Sequence, residues 1–254
     1  MMAHFRLRFS FSELGRGTLL SHLEVQRALA RLVRRADLPF VLTQGFSPRM
    51  KLATGPALPG GGGSLAEYAD IELQRFIKPA EALSRLQAVA PPLLPVLDCA
   101  YCNPRDPSLD AWLDGQTIEL RCDQALMPGC SAEDLARDFE AVRTGPEIEV
   151  VRKGKARQYL PTDFVPTPVE VREECAGSGP DGRATWVMRF EMRLPATGAL
   201  RSDVFVAALL RPYGLAPTEV TITRVALFHE AAGKRPRQFA LPPVREVSEV
   251  RDGS

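Results

Sequence analysis

The sequence has no long hydrophobic run and no recognisable export signal. No apolar stretch in its 254 residues approaches the roughly 18 positions that a transmembrane helix requires. The first residues, from Met1 to Arg6, lack the basic region, apolar run and small-residue cleavage site of a signal peptide. These absences predict a protein located in the cytoplasm, with no membrane partner.

Cysteine is scarce and odd in number. The five cysteines are Cys99, Cys102, Cys122, Cys130 and Cys175, which are too few and too dispersed for a disulfide scaffold. Cys99 and Cys102 have the spacing of half a zinc site, but no second Cys-x-x-Cys or His pair completes it. We therefore expect structural thiols, no metal site and no bound cofactor.

Motifs of the common enzyme classes are also missing. The sequence contains no Gly-x-x-x-x-Gly-Lys-Ser/Thr, no His-Glu-x-x-His and no Gly-x-Ser-x-Gly. The glycine run from Gly60 to Gly63 lacks the Lys-Ser/Thr and the helix start of a phosphate-binding loop. We expect residues 60–64 to form a loop between two strands. The sequence indicates a binding protein more than an enzyme.

Positive charge is concentrated near the N-terminus, although the whole chain carries a net charge of only +1. Residues 1–51 contain nine basic and three acidic side chains, an excess of six positive charges. A local positive field of this kind favours a polyanionic partner. The alternative is that these side chains form a solvated helix face.

Hydrophobic periodicity predicts a β-α-β-β-α-β order in residues 1–103. Residues 5–11 alternate apolar and polar side chains, as a half-buried strand does. Ser21 and Glu24 form a capping box at the start of a helix that Pro39 ends. The apolar stripe of this helix is Val25, Leu29, Leu32, Val33 and Ala36. The remaining predicted elements are strands at 40–43 and 68–73, a helix at 79–89 and a strand at 93–97.

The second half of the chain repeats this order of elements without repeating the sequence. Residues 104–116 are rich in Pro, Asp and Gly and predict a connector. Residues 117–230 predict a second β-α-β-β-α-β unit, and residues 231–254 a flexible tail. The expected fold is therefore α+β, with two tandem ferredoxin-like halves.

His22 is the candidate catalytic residue. It occupies the first position of the predicted helix, where free backbone N–H groups can receive a phosphate. The positive end of the helix dipole and the nearby arginines favour a neutral imidazole. Such an imidazole can act as a general acid or base. The alternative is that His22 only satisfies a local hydrogen bond.

Two basic segments, each near an aromatic residue, predict a nucleic-acid-binding face. Its candidate residues are His22, Gln44, Phe46, Arg49, Lys51, Arg152, Lys153, Lys155 and Arg157. Phe46 would stack on a base while Arg49 and Lys51 neutralise phosphates. Alternatively, Phe46 belongs to the core of a bulged strand. Residues 152–157 are expected at a hairpin tip or lid loop that faces the first segment.

Several ordered segments carry a resemblance to a known family. They are residues 20–24, 44–52, 55–59 and 67–73, with looser matches at 152–155 and 198–203. These segments resemble the radical-SAM-linked (radical-SAM-associated) proteins of unknown function, over roughly residues 5–230. Glu24 and Ser47 depart from the family pattern, which has Asp and Asn there. The resemblance implies a radical SAM protein as partner. This chain lacks Cys-x-x-x-Cys-x-x-Cys, so it would be the accessory module.

Three hypotheses follow. The first is a non-catalytic RNA-binding or substrate-presenting accessory protein of a radical SAM enzyme, acting in RNA or ribosome metabolism. The second is a metal-independent endoribonuclease that uses His22 with Lys51 or Arg49, by analogy with the similar architecture of CRISPR RNA-processing endoribonucleases. The third is a protein-interaction module that docks an acidic partner.

Overall fold

The computed structural model of the protein describes residues 5–103, 106–152, 154–174, 184–195, 198–229 and 237–238. The strands are β1 (Phe5–Glu13), β2 (Leu52–Thr54), β3 (Gly63–Leu73), β4 (Val96–Tyr101), β5 (Gly115–Asp123), β6 (Ile148–Arg152), β7 (Lys155–Tyr159), β8 (Glu170–Glu174), β9 (Thr185–Arg193), β10 (Thr221–His229) and β11 (Arg237–Gln238). The helices are α1 (His22–Arg35), α2 (Pro79–Val89), α3 (Leu109–Trp112), α4 (Ala132–Arg143), α5 (Pro161–Phe164) and α6 (Ser202–Leu210).

A large mixed sheet organises the molecule. Its strand order is β4-β1-β3-β10-β5-β9-β8, with β2 paired to β3 and β11 paired to β10. Neighbouring strands are antiparallel, except that β3 and β10 run parallel where Gly63 and Ser64 meet Thr223 and Arg224. Strands β6 and β7 form a separate hairpin. The prediction of a mixed α+β protein is confirmed.

The first core lies between the sheet and helices α1 and α2. Leu7, Phe9 and Phe11 alternate along β1 and face these helices, where each is at most 2% exposed. The predicted apolar stripe of α1, from Val25 to Ala36, is buried against them. Fully burying one such side chain stabilises the fold by about 1.5–3 kcal/mol, so this core holds α1 firmly on the sheet.

The second core repeats this arrangement on strands β5, β9 and β10. Phe139 of α4, Phe190 of β9 and Phe205 of α6 pack their rings with centroids 5.2–5.5 Å apart. Arg224 of β10 pairs with Ile118 and lies on the same sheet face as this second core. Its side chain binds Glu67 of β3. Glu67 pairs with Phe11, which lies on the helix-bearing face of the first half. Both helix layers therefore cover the same side of the sheet.

The opposite side of the sheet is covered partly by the segment predicted as a connector. Residues 109–112 form helix α3, and Leu109 and Leu113 are buried against Tyr68 and Leu227. This segment is therefore part of the core as well as a link. The Pro, Asp and Gly residues of this segment predicted a connecting loop. Its single helical turn was not predicted because it is too short to show a periodic hydrophobic pattern.

Some predicted elements have other bounds or lie outside the described residues. The strand predicted at 93–97 is β4, which begins at Val96, and the strand predicted at 40–43 is reduced to single bridges from Phe40 to Leu73 and from Leu42 to Met50. Gly63 and Ser64, predicted in a loop, begin β3. Lys153, Cys175 and the tail predicted at 231–254, apart from 237–238, are outside the described residues.

Candidate functional site

The N-terminus of α1 is fixed by the predicted capping box. Ser21 Oγ accepts a hydrogen bond from the Glu24 backbone N–H, and the Glu24 carboxylate accepts one from the Ser21 N–H at 2.8 Å. The hydrogen bond from the Ser21 backbone, followed by that from its side chain, lowers the pKa of Glu24. This cap sets the position of the adjacent His22.

His22 makes local contacts to two polar side chains. Its Nε2 lies 3.0 Å from Gln26 Nε2 and 3.4 Å from Thr54 Oγ1, and Gln26 Nε2 also donates to Thr54 Oγ1 at 3.1 Å. Because an amide nitrogen only donates, His22 Nε2 accepts this bond, which assigns the proton of a neutral ring to Nδ1. The local hydrogen bond considered for His22 is therefore present.

A small cavity opens beside His22, and we call it the Glu13 pocket. Its volume is about 20 Å³, and its lining is Phe11, Glu13, Leu20, His22, Val25, Thr54, Gly55, Leu58 and Glu67. Glu13 and Glu67 are only 4% and 6% exposed. Burial raises the pKa of Glu13 to about 7, the negative charge of Glu67 adds to this effect, and Arg224 opposes it. A carboxyl group with such a pKa exchanges a proton near neutrality.

Arg224 supports the pocket from the second half of the sheet. Its Nη1 donates to Glu67 Oε1 at 2.7 Å and its Nε to Gln116 Oε1 at 2.8 Å. Its remaining hydrogen bonds go to the carbonyl oxygens of Pro56 at 3.0 Å and Ala57 at 3.3 Å. The buried guanidinium thus ties β10 to β3 and to the segment between β2 and β3.

Irregular strand pairing shapes this region. The register of β1 against β3 shifts between Phe11 and Glu13, and that of β10 against β5 shifts after Arg224. Gly17 is also required here, because a Cβ atom at this position would lie 2.8 Å from the Leu93 carbonyl oxygen and 3.3 Å from Glu13 Cγ. Bulges of this kind redirect side chains and are frequent beside functional sites.

The loop formed by residues 44–49, which we call the Phe46 loop, projects into solvent. Phe46 is fully exposed, so the alternative that placed it in the core is wrong. Gln44 and Arg49 are exposed as well. The base of the loop is closed by the Thr43 N–H donating to the Arg49 carbonyl at 2.7 Å and by the Arg49 N–H donating to Thr43 Oγ1 at 2.9 Å. The loop therefore presents an aromatic ring and a cation from a fixed base.

Lys51 is separated from the His22 site by the sheet. Its Nζ lies 2.9 Å from the Glu72 carboxylate, and Glu72 alternates with Ile71 and so points away from the first helix layer. Thr54, three residues after Lys51, points toward α1 and contacts His22. The structure thus does not bring Lys51 and His22 together.

The second basic segment forms the predicted hairpin tip. Arg152, Lys155 and Arg157 are exposed on β6 and β7, while Lys153 lies outside the described residues. The base of the hairpin packs on the second core through Ile148 and Tyr159. These contacts fix the hairpin on the second half of the molecule.

Not all of the basic residues near the N-terminus contribute to the surface charge. Arg8 is 1% exposed and binds Asp70 through two hydrogen bonds of 2.5 and 2.7 Å. Its position between Leu7 and Phe9 places it on the sheet face away from α1, where Arg8 also lies over the Trp112 ring at 4.9 Å. The positive field at the surface is therefore smaller than the charge count of the sequence suggests.

Helix α1 contributes a second depression, which we call the arginine groove. It has a volume of about 520 Å³ and lies between α1 and the segment after α2. Arg27, Arg31 and Arg35 follow one another at intervals of one helical turn along its side, and Leu32 and Leu94 form part of its floor. Its surface combines these cations and the carboxylate of Glu24 with apolar groups.

The cysteines of the described residues are free thiols. Cys99 is buried, and its Sγ donates to the Pro79 carbonyl at 3.2 Å; burial raises its pKa to about 12. Within the described ranges, no group of three or more His, Cys, Asp or Glu side chains is arranged to hold a metal ion. No helix in those ranges has the length and apolar character needed to cross a bilayer.

Sequence reasoning missed Glu13, Glu67 and Arg224. Glu67 and Arg224 are 157 positions apart, and nothing in a single sequence indicates that their strands are neighbours. These residues stand out because burying a charged side chain is energetically costly. Their burial is known only from the structure, so the sequence alone does not single them out.

Comparisons with solved structures give distant likenesses. A chain of a Cbf5-Nop10-Gar1 complex is 12% identical with a TM-score of 0.41, over 88% of this chain and 50% of that chain. This chain thus spans half the length of that structure. A structure described as an unknown protein from Galdieria sulphuraria is 13% identical with a TM-score of 0.25, over 90% of this chain and 100% of that chain. Neither likeness carries an argument about function.

Comparisons of the sequence identify a family. No curated protein matches the chain. Residues 6–194 match a family described as "uncharacterized protein conserved in bacteria", DUF2344. The match includes the Phe46 loop, the whole lining of the Glu13 pocket and the basic hairpin, but not Arg224. The chain therefore belongs to the DUF2344 family of uncharacterized proteins conserved in bacteria.

Proposed function

We propose that this protein is a non-catalytic RNA-binding accessory protein that presents a substrate to a radical SAM enzyme. The observation that carries the RNA-binding part is the fully exposed ring of Phe46, next to the exposed Arg49, on a loop closed at its base. A fully exposed Phe side chain loses the free energy of about 1.5–3 kcal/mol that burial would provide. Stacking on an RNA base recovers part of it.

The chemistry of the Phe46 loop suits single-stranded RNA. Every base offers an aromatic face, so stacking on Phe46 is tolerant of sequence. Arg49 would neutralise a neighbouring phosphate, and Gln44 offers an amide for a base edge. Arg152, Lys155 and Arg157 on the β6–β7 hairpin would extend the contact along the RNA backbone. Lys51 contributes less, because Glu72 already neutralises its charge.

The radical SAM partner is inferred from the resemblance in the ordered motifs around His22, in the Phe46 loop and at residues 67–73. In this proposal the partner supplies the iron–sulfur cluster and the chemistry. The present chain holds the RNA in a position that the partner can reach.

We further infer that each half is a ferredoxin-like unit. The support is the strand order, in which β4, β1, β3 and β2 follow one another in the first half and β10, β5, β9 and β8 in the second. In each half the pairs are antiparallel, and two helices cover one face of the strands. In each half the fourth, first, third and second strands are neighbours in that order, which is the strand order of a split β-α-β unit.

The two other hypotheses have narrower support. The exposed arginine groove, with its apolar floor, favours an acidic protein partner at α1. The endoribonuclease hypothesis is supported by the neighbouring titratable groups of His22 and Glu13. It is weakened because Lys51, one of its proposed phosphate-binding residues, lies on the other side of the sheet.

Affinity purification with nuclease treatment as the only variable tests the proposal. We expect RNA and the radical SAM protein to copurify with the wild-type chain. The Phe46→Ala/Arg49→Ala variant should lose the RNA, whereas a control with Leu126→Ala and Arg137→Ala, two exposed positions elsewhere, should retain it. RNA recovery that is equal for both variants would contradict the proposal. Recovery of an acidic protein that survives nuclease treatment would favour docking at the arginine groove instead.

A further inference from the structure

The Glu13 pocket holds a carboxylate that has no counter-ion of its own. Glu13 is 4% exposed and lines the cavity, and its carboxylate accepts no hydrogen bond from any residue that the structure describes. Burying a charged group without a partner is costly, so the ionised form of Glu13 is stabilised when a cation occupies the pocket. We propose that the pocket binds a primary ammonium group carried on an alkyl chain, with Glu13 as the counter-ion.

The charges around the pocket favour a monovalent cation. Arg224 is the only buried cation described beside these two carboxylates, and its hydrogen bonds go to Glu67, Gln116 and two carbonyl oxygens, none of them to Glu13. Two carboxylates and one guanidinium leave a single negative charge when both Glu13 and Glu67 are ionised. One positive charge on a ligand makes the site neutral.

The donor requirements of an ammonium group fit the oxygens available. An ammonium group has three N–H donors and no acceptor. Glu13 offers both carboxylate oxygens, and Arg224 binds Oε1 of Glu67, which leaves Oε2 of Glu67 as a further acceptor. A calcium ion requires six to eight oxygen ligands, more than this pocket supplies.

The size of the cavity selects a small head group. A cavity needs about 10–15 Å³ of this kind of volume to hold one water molecule, and the Glu13 pocket has about 20 Å³. An ammonium group is about as large as water, whereas a planar guanidinium or a quaternary ammonium group is larger. The cavity therefore has room for the head group alone, and the alkyl chain would extend from it past the partly exposed Leu20 and Leu58.

Binding should depend on pH, because only the ionised form of Glu13 attracts the ligand. The charged or titratable groups that face Glu13 are Glu67 of β3, Arg224 of β10 and His22 of α1. Burial raises the pKa of Glu13 to about 7. We therefore expect affinity about tenfold weaker at about pH 6 than at about pH 8, in proportion to the ionised fraction.

The test measures the thermal stability of the full chain with n-butylammonium chloride, against tetramethylammonium chloride at equal concentration. The buffer must contain no primary amine. At about pH 8 we expect butylammonium to raise the Tm above that in tetramethylammonium, because a ligand that binds only the folded state stabilises it. Glu13→Gln, which keeps the shape of the side chain, should remove the difference. Glu133→Gln, at an exposed position on α4, should keep it.

Carbon NMR of the Glu13 carboxyl group provides a second readout that does not depend on unfolding. Saturating butylammonium should lower the pKa of Glu13, and tetramethylammonium should not. Equal Tm shifts with the two salts, or a butylammonium effect that persists in Glu13→Gln, would overturn the proposal. Because the pocket and the Phe46 loop share no residue, either proposal can fail without the other.

Discussion

His22 and Lys51 lie on opposite sides of the sheet in the first half of the molecule. His22 Nε2 is 3.4 Å from Thr54 Oγ1 on the helix-bearing side, while Lys51 Nζ is 2.9 Å from the Glu72 carboxylate on the other side. Both residues belong to the segments predicted to bind nucleic acid, but because they face opposite sides of the sheet they cannot act on one phosphate. His22 therefore has no ammonium partner from this segment to stabilise a pentavalent intermediate.

We accordingly expect no cleavage of labelled structured RNA by the purified chain with EDTA present. His22→Ala should bind RNA as well as the wild type, because His22 is engaged with Gln26 and Thr54. A gel assay of RNA length measures the first expectation and filter binding the second. Cleavage by the wild type that disappears in His22→Ala would establish the endoribonuclease hypothesis instead.

Glu13→Gln should change how stability depends on pH. The pKa of Glu13 is raised from 4.5 to about 7 in the folded protein, so its stabilising contribution is complete below 4.5 and is lost as the pH rises through 7. At about pH 8, the Glu13→Gln variant should therefore be more stable than the wild type, with a free energy of unfolding larger by about 1–3 kcal/mol. Urea denaturation at several pH values, without primary amines, measures this. A difference in unfolding free energy between the two proteins that does not change with pH would contradict the raised pKa of Glu13.

Arg224→Met should be strongly destabilising. It leaves Glu67 as a buried charge without its partner and removes the donor to Gln116. Breaking such a pair costs about 3–5 kcal/mol. Adding Glu67→Gln to Arg224→Met should recover part of the loss, which a double-mutant cycle in urea quantifies. The exposed control Arg137→Ala should change stability by about 0.5 kcal/mol or less. Additive effects of the two buried substitutions would show that they are not coupled.

Ser21→Ala should weaken the start of α1. The Ser21 hydroxyl caps the Glu24 N–H, and loss of an N-cap costs about 1 kcal/mol. Ser47→Ala, in the exposed Phe46 loop, is the matched control and should leave the unfolding free energy unchanged. Chemical denaturation followed by circular dichroism compares the two, and equal effects would show that the cap contributes nothing.

The helices with strong local signals were predictable from the sequence. The capping box at Ser21 and the apolar periodicity after it place the start of α1 within one residue of its observed position, and α4 begins after a capping box of the same kind at Ser131. Local hydrogen bonds and side-chain spacing determine these elements, and both can be read from neighbouring residues.

The Glu13 pocket and the face occupied by each cation were not predictable in the same way. Glu13 and Arg224 approach each other because β3 and β10 pair, which is a contact between distant parts of the chain. Arg8 looked like surface charge, yet α3 and Asp70 bury it. Burial and pairing between strands distant in sequence decide these features, and neither can be derived from local patterns.

The most direct test of the account is RNA affinity measured against salt concentration. The wild-type chain should bind single-stranded RNA with an affinity that falls as salt is raised. Phe46→Ala should weaken binding by about 1–3 kcal/mol at every salt concentration, and Arg49→Ala should reduce the salt slope by about 1. The control pair Leu126→Ala and Arg137→Ala should change neither value. An affinity independent of salt, or unchanged binding by Phe46→Ala/Arg49→Ala, would contradict RNA binding at the Phe46 loop.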